Sequence, residues 1–154
     1  MKNVIFVMIA FFIVSAAGCK SAPSPSPFDE VLDIEWKLIE VRTGRSSDIK
    51  FNRDTLISEG FPDIFTLTFE SETFGGKGAP NTYNASFTLG NDFDINVQSI
   101  NTTQMALLTQ PEKLKEHDFL MYIQNLNGWK LADEKLELTT KGENGNEIKM
   151  VFAK

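Results

Sequence analysis

Tyr83-Asn84-Ala85-Ser86-Phe87-Thr88-Leu89, then Gly90-Asn91-Asp92, then Phe93-Asp94-Ile95-Asn96-Val97 decide how this chain folds. Both outer stretches alternate apolar with polar residues, a period of two that lines aromatic and branched side chains along one face of a strand. Glycine, asparagine and aspartate between them are turn chemistry, so the two runs are expected to pair as a hairpin. The same alternation recurs in Glu35-Trp36-Lys37-Leu38 and in Phe65-Thr66-Leu67-Thr68-Phe69. Further strands are expected from Met105 to Thr109, Trp129 to Leu131, Leu136 to Thr140 and Ile148 to Phe152. The last two are joined by Lys141-Gly142-Glu143-Asn144-Gly145-Asn146, a loop of turn formers.

One segment departs from this pattern. Glu112 to Leu126 lacks Gly and Pro and places Glu116, Phe119, Leu120, Ile123 and Leu126 near one face at spacings of three and four, the pattern of an amphipathic helix. Asn127-Gly128 is expected to stop it. About eight short strands and one amphipathic helix set the fold class as mainly β (α+β), a small antiparallel β-barrel-like domain with the helix across one end.

Composition narrows the function. A chain of 154 residues with 42% hydrophobic residues and 13 Phe can bury one core and suits a single domain. A formal charge of -6, with no cluster of Lys and Arg, argues against nucleic acid as a partner, because phosphate binding needs concentrated positive charge. One Cys and one His leave no soft ligand set for zinc and no intrachain disulfide, so no metal or cofactor is expected.

The N-terminus carries an export signal. Lys2 gives a positive start, Val4 to Val14 is an unbroken apolar run too short to span a bilayer comfortably, and Ser15-Ala16-Ala17-Gly18 precede the sole cysteine, Cys19. This arrangement resembles the lipobox of bacterial lipoproteins: Ala16, Ala17 and Gly18 stand at the signal-peptidase recognition positions, with Ala16 where Leu is usual. Cys19 is the residue expected to take a diacylglycerol and acyl chains such as palmitate. Each buried methylene contributes about 0.8 kcal/mol of membrane affinity, so several chains anchor a protein firmly. Lys20-Ser21-Ala22-Pro23-Ser24-Pro25-Ser26-Pro27 then reads as an extended tether. The expected organisation is a signal peptide over 1–18, lipidated Cys and tether over 19–30, and the folded domain over 31–154.

Groups able to do chemistry are sparse. His117 lies on the expected helix beside Glu116 and Asp118, which point in other directions around the axis, so it reads as a surface residue and no catalytic residue is expected. Asp92 with Asp94, and Asp29 with Glu30, lack the patterned spacing of a calcium loop and read as turn and solvation residues. Gly75-Gly76-Lys77-Gly78 lacks the phosphate-loop spacing and leads into a strand. It is expected to let the backbone turn or bulge and to form the rim of a binding surface. Trp36, Trp129, Gly76, Lys77, Asn81 and Tyr83 are the candidates for a ligand or partner surface. The aromatic residues are expected to fill the barrel, with a ligand-lined cavity as the alternative.

Taken in order, several of these residues resemble the META domain family, the HslJ-like bacterial envelope lipoproteins. The resemblance runs from Trp36 to Phe152. It rests on Trp36-x-Leu38, the glycines Gly75 to Gly78, Asn81-x-Tyr83-x-Ala85-x-Phe87, Thr103-Gln104-Met105-Ala106, Glu116-x-x-Phe119-x-x-x-Ile123 and Leu136-x-Leu138. Many members carry Cys before the Asn and after the Met-Ala block, where this chain has Pro80 and Leu107, so a bridge between such cysteines would be lost here as a pair. The resemblance implies a β-barrel-like domain with one helix and links to heat-shock response, drug tolerance and motility or virulence. The resulting expectation is a non-catalytic, lipid-anchored monomer on the inner or outer membrane, its domain outside the cytoplasm, with an envelope-stress or protein-interaction role. The alternatives are a lipocalin-like carrier of a small hydrophobic ligand and an inhibitor of an envelope hydrolase.

Overall fold

The computed structural model describes residues 27–44, 48–106, 109–142 and 144–154. The signal peptide, Cys19, the tether up to Ser26, and Leu107 lie outside the described residues. Among the described residues, no helix is long and apolar enough to cross a membrane.

Among the described residues nine strands form one antiparallel sheet: β1 (Trp36–Thr43), β2 (Asp48–Asn52), β3 (Thr66–Phe69), β4 (Thr73–Lys77), β5 (Thr82–Leu89), β6 (Ile95–Thr102), β7 (Leu126–Ala132), β8 (Lys135–Lys141) and β9 (Glu147–Ala153). Eight of them run in the order β6-β5-β4-β3-β1-β9-β8-β7, and β2 pairs with the second half of β1. The path nearly closes on itself: Asp94 bridges Gly128, and the Trp129 amide donates to the Phe93 carbonyl at 2.9 Å. A nearly closed antiparallel barrel is what the alternating pattern called for, because closure removes most unpaired edge.

The β5–β6 hairpin forms as the alternation requires, pairing Leu89 with Ile95 and Tyr83 with Thr102, with a register shift between Ser86 and Phe87. Asp92 takes a positive φ of 57° in the turn, a conformation aspartate tolerates better than most residues. Phe93, expected inside the strand, instead sits in the turn and is 52% exposed. Asp133 and Glu134, both at positive φ, make the tight turn between β7 and β8.

Three expectations need correcting. First, Thr103 to Ala106 form no strand; β6 ends at Thr102 because Asn81 captures the backbone that follows. Second, the long helix is the shorter α2 (Glu116–Gln124). Its start is delayed because Leu114 is fully buried and the Glu112 amide bonds to Glu59, and it ends at Asn125, whose side chain donates to the Met121 carbonyl at 2.8 Å. Asn127-Gly128, expected to stop the helix, lie inside β7. Third, a second helix, α1 (Arg53–Ser58), follows β2, capped by the Asn52 side chain accepting from the Thr55 amide. Arg53 donates from there to the carbonyls of Leu38, Pro62 and Ile64 and so holds the loop leading to β3; burial lowers its pKa.

Aromatic rings fill the interior. A continuous path of ring contacts runs from Trp129 through Phe28, Phe69, Phe74, Tyr83, Phe119 and Phe65 to Phe51, with centroids 4.6 to 6.3 Å apart. These are ordinary distances for attractive edge and tilted contacts. α2 adds Phe119, Tyr122 and Ile123 to this core.

Candidate functional site

The most organised polar cluster joins residues far apart in sequence. Glu116, in the first turn of α2, is a carboxylate only 8% exposed. Its Oε1 accepts from the Ala79 amide at 2.6 Å and the Asn81 amide at 2.7 Å, and its Oε2 accepts from the Asn81 side-chain amide at 2.7 Å. Asn81 then uses its own carbonyl oxygen to accept from the Thr103 hydroxyl at 3.0 Å and the Met105 amide at 2.7 Å. A buried carboxylate is tolerated when donors surround it, and here two backbone amides and a side-chain amide do so. Gly78 leaves room for it: a Cβ there would lie 2.5 Å from Glu116 Oε1. The clasp ties α2, the start of β5 and the segment after β6 into one unit.

A second convergence lies one strand away. Tyr83 donates its hydroxyl to the Thr66 carbonyl at 2.8 Å, and the Thr66 hydroxyl accepts from the Lys77 amide at 3.1 Å. Complete burial pushes the Tyr83 phenol well above its ordinary pKa. Gly75, Gly76 and Lys77 belong to strand β4, so the expected turn or bulge there is corrected. A Cβ on Gly76 would come 1.9 Å from the Thr66 carbonyl oxygen, so glycine here permits close approach of two backbones.

The candidate surface residues therefore separate. Trp36 is fully buried and donates its indole N–H to the Val31 carbonyl at 3.0 Å. Asn81 and Tyr83 are buried and engaged as described, Gly76 lies in the sheet, and the Lys77 side chain is exposed. Trp129 alone remains beside a groove, of about 590 Å³, lined by Phe93, Gly128, Trp129, Lys130 and Thr139 at the barrel seam. Its ring lies 5.4 Å from that of Phe93. His117 is exposed on α2. Asp92 and Asp94 are both exposed beside Phe93. Among the described residues no group of three or more His, Cys, Asp or Glu is placed to hold a metal.

Sequence reasoning placed Glu116 on the apolar face of the helix without assigning it a partner. The signal was present: a lone carboxylate in line with Phe119 and Ile123 needs donors once buried.

No curated protein matches this chain. Two solved structures share its fold. One is an NMR structure of a protein from Burkholderia xenovorans, at 16% identity and a TM-score of 0.56, covering 91% of this chain and 99% of that one. The other is a crystal structure of a duf4847 family protein from Bacteroides vulgatus, at 18% identity and a TM-score of 0.55, covering 82% of this chain and 95% of that one. The META domain model matches residues 29–153, which include the glycine-lined approach, the Asn81-Glu116 clasp and the closing strands. The chain belongs to the META domain family.

Proposed function

We propose that this META domain chain is a lipid-anchored, non-catalytic lipoprotein of a bacterial cell envelope that works through its outer surface, in envelope stress or protein interaction. The observation that carries the anchoring is the placement of the sole cysteine, Cys19, directly behind an apolar run and the four small residues Ser15 to Gly18. What supports surface action is the use made of the interior: rings occupy it, and the buried polar groups of Glu116, Asn81, Tyr83, Thr66 and Thr140 are spent on hydrogen bonds within the fold. A catalytic group, by contrast, has to meet a substrate.

Intact-mass analysis of protein extracted from membranes is the test. The expected result is an N-terminus at Cys19 carrying a diacylglyceryl thioether and further acyl mass, while Cys19→Ala yields a chain without lipid that is not cleaved at that position. A mature N-terminus elsewhere, or an unmodified Cys19 thiol, overturns the anchoring.

A further inference from the structure

Trp129 differs from Trp36 in one respect that points to a ligand. The Trp36 indole N–H has an acceptor, whereas that of Trp129 has none among the described residues. Every buried side-chain nitrogen and oxygen among those residues is hydrogen-bonded, so the Trp129 N–H opens to the surface. Trp129 is otherwise only 5% exposed, and a tryptophan so enclosed ordinarily finds an acceptor. Beside it, the exposed Phe93 ring stands at 73° to the indole at the edge of the groove, which Gly128 and Thr139 also line. A free indole donor beside an exposed aromatic ring matches a proline-rich strand, which carries no N–H on its prolines and presents outward carbonyls and flat apolar rings.

The chain has such a strand in reach. Ala22-Pro23-Ser24-Pro25-Ser26-Pro27 ends one residue before Phe28, whose ring packs 4.7 Å from that of Trp129. At about 3.1 Å per residue, an extended proline-type chain leaving Phe28 would span about 12 Å back to position 24, a reach sufficient for the groove. Charge permits it: Lys20 is the one charged residue from Cys19 to Pro27, and the groove lining is mixed, with Asp92, Asp94 and Glu137 against Lys130 and Lys149.

We propose that the chain's own Ser/Pro segment, residues 20–26, docks in the groove of Phe93 and Trp129, with a carbonyl preceding proline accepting the Trp129 indole N–H. Docking makes the tether part of the domain surface. It sets the barrel seam toward the anchoring end of the chain. Docking does not require the lipid, so it can be tested without it.

The experiment follows hydrogen exchange of the two indole N–H groups by NMR in residues 19–154 carrying Cys19→Ala. The Trp129 N–H is expected to exchange about tenfold more slowly than in the Pro23→Gly/Pro25→Gly variant, the difference one net hydrogen bond makes. Phe93→Ala is expected to lose the same protection. Trp36 should be unchanged throughout, reporting that the barrel is intact. Added peptide Ala-Pro-Ser-Pro-Ser-Pro should restore protection in the double variant and bind the parent chain more weakly. Equal exchange at Trp129 in parent and double variant overturns the proposal. So does equal peptide binding to both, which would make the groove an open site for a proline-rich partner. Loss of lipidation in the membrane-extracted protein would leave these readouts unaffected, so the two claims fail separately.

Discussion

Glu116→Ala is expected to cost about 4 kcal/mol of folding stability, a large share of the roughly 5–15 kcal/mol that holds a domain of this size together. The substitution removes the acceptor of three hydrogen bonds at once and strands the Ala79 amide, the Asn81 amide and the Asn81 side-chain amide in a buried site. Each orphaned donor costs about 1–3 kcal/mol, partly recovered if water enters. Glu116→Gln is the informative companion. It keeps the shape and one oxygen, which can still serve the two backbone amides, but turns an N–H₂ toward the Asn81 N–H₂; a loss of about 2 kcal/mol is expected. Urea denaturation measures both. Asn81→Ala should couple to Glu116→Ala, so the double variant loses less than the sum of the singles. A cost below about 1 kcal/mol for Glu116→Ala would mean the clasp does not hold the fold.

Gly76→Ala is the second large effect. The added methyl would overlap the Thr66 carbonyl, and that oxygen cannot swing aside because it belongs to the backbone of β3 and also accepts from Tyr83. Relief requires β3 and β4 to part, so about 3 kcal/mol or more is expected, read as a fall in thermal midpoint of about 10 °C. Gly75→Ala meets the Tyr83 carbonyl at the looser distance of 2.8 Å and should cost distinctly less. Equal costs at the two glycines would contradict the close-approach account.

These two sites explain how the sequence could be read and where it could not. Strands β5 to β9 are legible where side chains alternate between core and solvent, as in Tyr83 to Leu89 or Leu136 to Thr140, because the pleat imposes that period. Strand β4 is illegible for the opposite reason. Gly75 and Gly76 have no side chains to alternate, and their role becomes visible only when Thr66 and Tyr83 are seen against them. Strand β2 and α1 were hidden by brevity: five and six residues carry too little period, although Asn52 before Arg53-Asp54-Thr55 is a capping signal. The extent of α2 was overestimated because periodicity persists through Leu114 and Leu126, both buried, although the backbone there is not helical.

The family motifs gain a physical meaning from the same geometry. Asn81, the Thr103-to-Met105 stretch and Glu116, recognised in sequence as three separated blocks, meet in one hydrogen-bonded clasp. Tyr83 and the glycines meet at the Thr66 carbonyl. Of the residues that looked like a binding surface in one dimension, Trp36, Asn81 and Tyr83 are brackets in three, while Lys77 is exposed and Trp129 lines the groove at the seam.

On the proposed reading, this META domain is a barrel filled by its own side chains that acts from its outer surface. Native mass spectrometry of the protein purified gently from its own envelope is the test. The expected result is a mass equal to the polypeptide plus its N-terminal lipid and nothing more. A small molecule of reproducible mass, released only when the barrel unfolds, would contradict the account and return the interior to the role of a ligand cavity.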